Sequence, residues 1–368
     1  MVDLQPAEKE KNMYSEYSNI RVIGMAAAVS SHWDSLLEVS DEDPAIIDKF
    51  VKKIGVSGRY SASLKQTTAD FCYAAAEKVL TEKGIDRSQI GALVFVTQTP
   101  DYRLPATGCV LQHRLGIGRN CLVFDVNLGC SGFVYGLNIL SSLMNSSEMK
   151  YGLLLAGDIS AREFSSKRKD KLGHSAALLF GDSGTATLVE KREGNHLLFS
   201  SATDGNGYKA IIAPYGDYRN PESPDGRIYY TKMDDVAVFN FATNDAPEQI
   251  NEYMQRMNTS AEDYDCLVLH QANLMIMKRI AKKTSFPPEK MLLSMDRFGN
   301  TSSSSIALTL VDKYGETEGK TVKALCCGYG VGLSWATVAL ELNTDEIYQL
   351  VHTDDYYKDG YNVDDLEQ

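Results

Sequence analysis

Three residues in this sequence sit where chemistry is easiest to arrange. Cys130 lies in NLGCSGFVYGL, between strand-formers at Leu122 to Val126 and a helical pattern with Phe133, Leu137 and Leu140 on one face. His270 closes a buried-type strand at LHQAN, just before another helix. Asn300 stands in GNTS, again between a strand and a helix. A cysteine at a helix start meets unpaired N–H groups carrying partial positive charge. Its thiolate, the nucleophilic form, is stabilised there, and its pKa is expected to fall. Gly129 and Gly132 let backbone or substrate approach the sulfur. Taken singly, each residue has a plainer reading. Free cysteine is among the most buried residue types, and a His or Asn at a helix start commonly serves as a cap or satisfied structural group. Taken together they share one kind of place, the end of a strand, where α/β sheets gather ligands. Gly330-Val331-Gly332 adds a loop whose N–H groups can face a developing oxyanion.

The elements that must position these residues alternate along the chain. Strands are expected at Ile20–Ala28, Ala92–Thr97, Leu122–Val126, Leu153–Ala156 and within Ala177–Glu190. In the second part they are expected at Leu197–Ala202, Cys266–Leu269, Met291–Met295, Val322–Cys327 and Leu333–Leu342. Helices are expected near Pro44–Lys53, from a Thr68 cap through Phe71, Ala75 and Val79 to Gly84, and near Ala106–Leu115. Further helices fall after Cys130, from about Pro247 to Met257, along Leu274, Met277 and Ile280, and after Asn300. Ser160–His174 and residues 213–235 read as polar loops, and 29–65 as largely irregular. This alternation implies an α/β protein.

The pattern also repeats. Moving the chain by 170 positions (130 to 300) lays CLVFDVNLGCSGFVYGLNIL over MLLSMDRFGNTSSSSIALTL. A similar shift lays YGLLLAGD over KALCCGYG and FGDSGTATLVE over VGLSWATVALE. Three matches in the same order imply two related halves, with Cys130 and Asn300 near a shared pseudo-twofold axis. The expected division is an N-terminal arm at 1–18, a first half at 19–190, a second half at 191–342 and an acidic tail at 343–368.

Composition narrows the function. The 368 residues are 43% hydrophobic and 23% charged, as in an ordinary globular protein. No apolar run approaches the ~20 residues that span a bilayer, and the polar N-terminus has no signal-like core, so a cytoplasmic protein is expected. Seven cysteines without CxxC or metal-ligand spacing read as reduced thiols. A net charge of −12 disfavours nucleic acid as a partner.

DVNLGCSGFVYGL, HQAN and GNTSSSS, in that order, resemble the thiolase-fold condensing enzymes, and within them the β-ketoacyl-acyl-carrier-protein synthase III family. GYGVGLSW, FGDSGTA and ATDGNGY resemble it too, and the likeness runs over roughly residues 19–342. The resemblance implies a five-layered αβαβα fold of two βαβαβαββ halves, and a homodimer. It implies that Cys130 is acylated by a thioester primer. It also implies that His270 and Asn300 bind the malonyl thioester carbonyl during decarboxylation, and that acyl carrier protein is a partner. No metal or redox cofactor is implied, and coenzyme A or phosphopantetheine thioesters are substrates. The N–H groups of Cys130 and Val331, with Gly330 and Gly332 beside the latter, would form the oxyanion site. Leu104, Asn273 and Phe239 match substrate-lining positions, and Leu104 stands where the partner subunit's acyl-pocket phenylalanine is usual. Lys278, Arg279, Lys282 and Lys283 would offer a basic face to an acidic carrier, a solvated helix face being the plainer reading.

Departures from the family pattern suggest a specialised member. Lys49, beside Phe50, stands where a tryptophan usually stacks on adenine, and Met275 and Asn240 replace an arginine and a lysine used in docking. These favour an acyl carrier over coenzyme A as donor. The smaller Leu104 leaves room for a longer or branched primer. Three rivals remain: a papain-like protease, a non-condensing acyltransferase making an ester or amide, and a binding-only relative. The first would need a Gln before the cysteine and an aromatic soon after it. The second often changes the Asn, and the third lacks the Cys.

Overall fold

The computed structural model describes residues 12–40, 43–161, 178–223 and 231–361. Most of the Ser160–His174 stretch, part of the 213–235 loops and residues 1–11 and 362–368 lie outside them.

The chain opens with β1 (Met13–Tyr17), β2 (Ile20–Val29), the short β3 (Trp33–Ser35), α1 (Leu36–Val39), α2 (Pro44–Ile54) and β4 (Gly58–Tyr60). Then come α3 (Thr68–Lys83), β5 (Ile90–Val96), α4 (Thr107–Arg114), β6 (Leu122–Val126), α5 (Gly132–Asn145), β7 (Tyr151–Ile159) and β8 (Asp182–Lys191). The second half comprises β9 (Leu197–Thr203), β10 (Ile211–Ile212), β11 (Lys232–Met233), α6 (Asp235–Arg256), β12 (Cys266–Leu269) and α7 (Leu274–Lys283). It continues with α8 (Met295–Phe298), α9 (Ser305–Tyr314), β13 (Thr321–Gly330) and β14 (Ser334–Asn343), and β15 (Val351–His352) follows.

Two sheets carry the fold. The first-half sheet runs β15-β2-β8-β7-β5-β6 and the second-half sheet β1-β9-β14-β13-β12. Helices α5 and α9 lie between them, each touching strands of both sheets. Helices α3 and α4 cover the outer face of the first sheet, and α6 packs on β13 and β14 with α7 beside it. That is the expected five-layered αβαβα arrangement. The central core joins Phe133, Val134, Leu137 and Leu140 of α5 to Ile306, Leu308 and Leu310 of α9. Fully burying one such side chain stabilises by about 1.5–3 kcal/mol, so the hydrophobic face of α5 alone fixes the turn in front of it.

Caps set the helix ends. The first cap is Thr67 rather than Thr68: Thr67 and Asp70 form a capping box, with the Thr67 N–H donating to Asp70 Oδ2 at 2.8 Å. Helix α6 begins twelve residues before the expected Pro247, capped by Asp234, whose Oδ1 accepts from Val236 and Ala237. Pro247 lies inside this helix. A proline removes one helical donor and leaves the carbonyl four residues earlier without its partner. Here that carbonyl, Thr243, accepts from Lys283 Nζ of α7 at 2.6 Å.

Two other expectations change, and one gains a structure. Residues 13–17 of the expected N-terminal arm form β1, antiparallel to β9. Over its described length the acidic tail makes a specific contact, because β15 pairs with β2. Each terminal strand thus closes an edge of the opposite half's sheet. Finally, Met291–Met295 is not a strand. Only Met291 bridges Leu267, and the N–H groups of Ser294 and Met295 donate to Gln271 Oε1 at 3.0 and 3.3 Å instead of continuing the ladder.

Candidate active site

Cys130 is placed by β6 and α5, in the tight turn that joins them. Strand β13 delivers Gly330 and Val331 against it. A Cβ on Gly330 would stand 2.4 Å from Cys130 Cβ, so only glycine permits this approach. Gly129 is similarly confined, since its Cβ would meet Gln98 Oε1 at 2.1 Å. The N–H groups of Val331 and of Cys130 itself both donate toward the sulfur, and the Ser302 hydroxyl joins them. These are the two N–H groups expected to hold an oxyanion.

The expected fall in the thiol pKa is not what the surroundings produce. Cys130 is half-buried with the Asp158 carboxylate near, and burial followed by that charge pushes the thiol up to about 12. The three donors pull the other way without prevailing. Cys130 therefore rests as a thiol.

His270 follows β12 and is 1% exposed. Its Nδ1 lies 2.8 Å from the Ser305 hydroxyl, its backbone N–H donates to the Cys327 carbonyl, and its backbone carbonyl accepts from the Tyr329 hydroxyl at 3.1 Å. The Tyr329 ring meets the imidazole edge-on at 5.5 Å. Burial lowers the His270 pKa to about 3, partly opposed by a hydrogen bond with the Ser302 backbone. The ring is neutral at ordinary pH.

Asn300 is 5% exposed and is pinned through its backbone: its N–H donates to Leu179 and its carbonyl accepts from Gly181. Its Oδ1 accepts from the Ser302 N–H at 2.9 Å, which leaves the Nδ2 donor for a ligand. Ser302 thus contacts all three expected residues. Its backbone is left-handed, with φ 52°, a conformation costing a non-glycine residue roughly 1–3 kcal/mol and kept where surroundings enforce it.

Ser302 lay outside the sequence reading, and two further residues at the site did as well. Asp158, at the end of β7, accepts from the Gln98 N–H at 2.7 Å and from the Ser303 hydroxyl at 2.7 Å. Its signal was the Asp closing YGLLLAGD, which served only to align the repeat. Ser305 was hidden in the run SSSS, whose four hydroxyls reach four different places: Cys130, Asp158, Ser183 and His270.

Two family models match, 3-oxoacyl-(acyl-carrier-protein) synthase III over residues 124–207 and its C-terminal part over 254–342. β-Ketoacyl-(acyl-carrier-protein) synthase III of Syntrophomonas wolfei is 30% identical over 335 residues, covering 89% of this chain and 98% of that protein. The chain belongs to the β-ketoacyl-acyl-carrier-protein synthase III family. The synthase III of Staphylococcus saprophyticus is 34% identical over 84% of this chain and 93% of its own. Among solved structures, a 3-oxoacyl-(acyl-carrier protein) synthase from Burkholderia xenovorans superposes with a TM-score of 0.87 at 32% identity, covering 94% of this chain and all of that one. A priming β-ketosynthase of the R1128 polyketide pathway, 26% identical, gives 0.78 over 88% and 96%.

Other expected synthase III positions have more ordinary roles here. Asn273 caps α7, its Oδ1 accepting from Ile276 at 2.9 Å. Phe239 lies under Arg279, whose guanidinium is 5.6 Å from the ring centre. Lys283 is committed to Thr243 and Asn244 of α6. Lys278 and Lys282 are exposed and have no ion pair among the described residues. Lys49, Asn240 and Met275 are exposed, and Phe50 is half-buried. Leu104 is 75% exposed in the single chain.

Proposed function

We propose that the protein is a condensing acyltransferase in which Cys130 carries the acyl group and His270 with Asn300 handles the malonyl unit. The reaction is the decarboxylative Claisen condensation of an acyl thioester primer with malonyl-acyl carrier protein. In the first stage the Cys130 sulfur bonds to the acyl carbon, the primer's C–S bond breaks, and the thiol proton leaves with the departing thiol. In the second, the malonyl carboxylate leaves as CO2 and the remaining enolate oxygen is held by neutral His270 and the Asn300 amide. The enolate carbon attacks the acyl carbon, the N–H groups of Cys130 and Val331 hold the tetrahedral oxyanion, and Cys130 departs as a thiolate. At a pKa of about 12 that thiolate takes up a proton and the thiol returns. The chemistry needs no metal or redox group, and the thioester carriers are substrates.

The observation that carries this reading is the convergence of Cys130, His270 and Asn300 on Ser302. The exposed Lys278 and Lys282 suit an acidic carrier protein. A homodimer is supported by β6, an edge strand among the described residues whose side chains Leu122 to Val126 are exposed or half-exposed. A cytoplasmic setting suits seven free thiols. The test is intact-protein mass spectrometry after exposure to acyl thioesters, then addition of malonyl-acyl carrier protein. Wild type should gain the acyl mass and lose it as β-ketoacyl product forms, and Cys130→Ala should gain none. An acyl mass on Cys130→Ala places the nucleophile elsewhere.

A further inference from the structure

The C-terminal part of the synthase III model ends at Leu342, but this chain goes on, and its continuation is threaded through the first half. After β15 pairs with β2, the Thr353 N–H donates to Val29 at 2.9 Å and Asp354 accepts from the Ser31 N–H at 3.1 Å. Gln66, fully buried, donates through Nε2 to the carbonyls of Thr353 and Asp355 at 2.9 and 3.3 Å. The Tyr357 N–H then donates to Asp70 Oδ1 at 2.9 Å. Asp70 also holds Arg114 at 2.9 Å, and these two side chains are only 3% and 7% exposed. The Arg114 guanidinium lies 4.5 Å from both the Tyr73 and Tyr357 rings. A buried ion pair depends on being sealed and fully hydrogen-bonded, and Tyr357 supplies one side of the seal.

What lies beneath the seal is the start of a loop. Asp101 sits in the field of Asp70 and Arg114 and opens the segment Asp101–Pro105 between β5 and α4. The far end of the continuation reaches the same segment, with the Tyr102 hydroxyl 3.4 Å from the Tyr361 carbonyl. Arg103 ties the other side down, donating to the Gly216 carbonyl at 3.1 Å. Between these ties the loop presents Leu104, a large apolar side chain, outward. The other end of this connection, Thr97 to Thr99, rests on Asp158 in the active site.

We propose that residues 351–361 are a strap that positions the Leu104 loop and thereby selects the acyl primer, with Tyr357 as the positioning residue. The selectivity half rests on the reading of Leu104 as an acyl-pocket residue lent to the partner subunit. The positional half does not. Residues 351–361 lie beyond the matched range of the family model, so primer preference becomes a property of a segment outside that range.

The test compares wild type with Tyr357→Ala, Tyr357→Phe, Gly360→Val and Leu104→Ala. Gly360→Val crowds the Tyr102 hydroxyl from the tip of the strap at 3.0 Å and the edge of the Tyr357 ring at 3.2 Å while leaving every side chain of the strap and of the ion pair in place, and serves if Tyr357→Ala does not fold. Hydrogen exchange of the 101–104 amides should speed up in Tyr357→Ala and Gly360→Val and stay at the wild-type rate in Tyr357→Phe. Rates of Cys130 acylation by acetyl, isobutyryl and octanoyl thioesters should change relative to one another by about fivefold or more in the disrupted variants and in Leu104→Ala. Unchanged exchange in Tyr357→Ala and Gly360→Val overturns the strap. A common slowing of every primer, or a shift in Leu104→Ala alone, overturns its role in selection. A wild type acylated by no thioester, with exchange altered as expected, overturns the catalytic reading and primer selection while the strap's positional role stands.

Discussion

The turns at Cys130 and Asn300 occupy equivalent places in the two halves yet are built differently. The first is short: Gly129, Cys130 and Ser131 lead straight into α5, and Ser131 is fastened to Ser334 of β14 at 2.7 Å. The second is long. Gly299 has φ 67°, Ser302 is left-handed, and a 3-10 turn from Ser302 to Ser304 precedes α9. The strand before it has shrunk to the single bridge at Met291. The short turn presents one reactive atom among N–H donors. The long turn presents the Asn300 amide and braces the site around it, since the serines after it hold Cys130, Asp158, Ser183 and His270 in register. A duplicated topology thus becomes an asymmetric site when one copy keeps a helix start and the other spends its turn on positioning hydrogen bonds.

The comparison breaks most severely if the long turn is also needed for acylation. Asn300→Ala should cut malonyl decarboxylation by roughly 10²–10³, the effect of losing one oxyanion donor, while the acyl mass on Cys130 still forms. Stopped-flow release of CO2 beside mass spectrometry separates the two, and a matching loss of acylation would merge the roles of the turns.

Gly330→Ala probes the short turn from β13. Its new methyl must displace Cys130 by a substantial fraction of an ångström, and such misplacement costs about 10² in rate. Single-turnover acylation should fall by that order with decarboxylation less affected. Equal effects on both would show that β13 serves the site as a whole.

Asp158→Asn sharpens the electrostatic side. Removing the carboxylate's charge should bring the pH midpoint of Cys130 alkylation by iodoacetamide down, by about one unit. An unmoved midpoint means that the carboxylate is already protonated. His270 should show no such titration. Its folded pKa of about 3 lies below the ordinary 6.5, so as pH falls the unfolded chain protonates first. Its contribution to stability is complete above about pH 6.5 and is lost toward 3, and decarboxylation should show no inflection near 6.5.

Most of this architecture was readable from period and punctuation, and the reasons for the misses are local. β1 and β15 are short and polar, and pairing with distant edges rather than their own pattern makes them strands. Pro247 reads as a helix start by the usual preference, but Lys283, thirty-six positions later, satisfies the carbonyl it orphans. The thiol's direction was misjudged because a helix start is visible in sequence, whereas burial and a carboxylate from β7 are not. The turns carrying Cys130 and His270 were legible because a strand, β6 or β12, runs into each, whereas Asn300 follows the short helix α8, and Ser302 and Asp158 make contacts that only folding creates.

The division of labour between acylation and decarboxylation is tested most directly in His270→Ala by following two steps on one sample, acylation by mass and CO2 release from malonyl-acyl carrier protein. The account predicts acyl-Cys130 at close to the wild-type rate and decarboxylation reduced by at least about 10². Loss of both in equal measure, in a variant that melts as the wild type does, would contradict it.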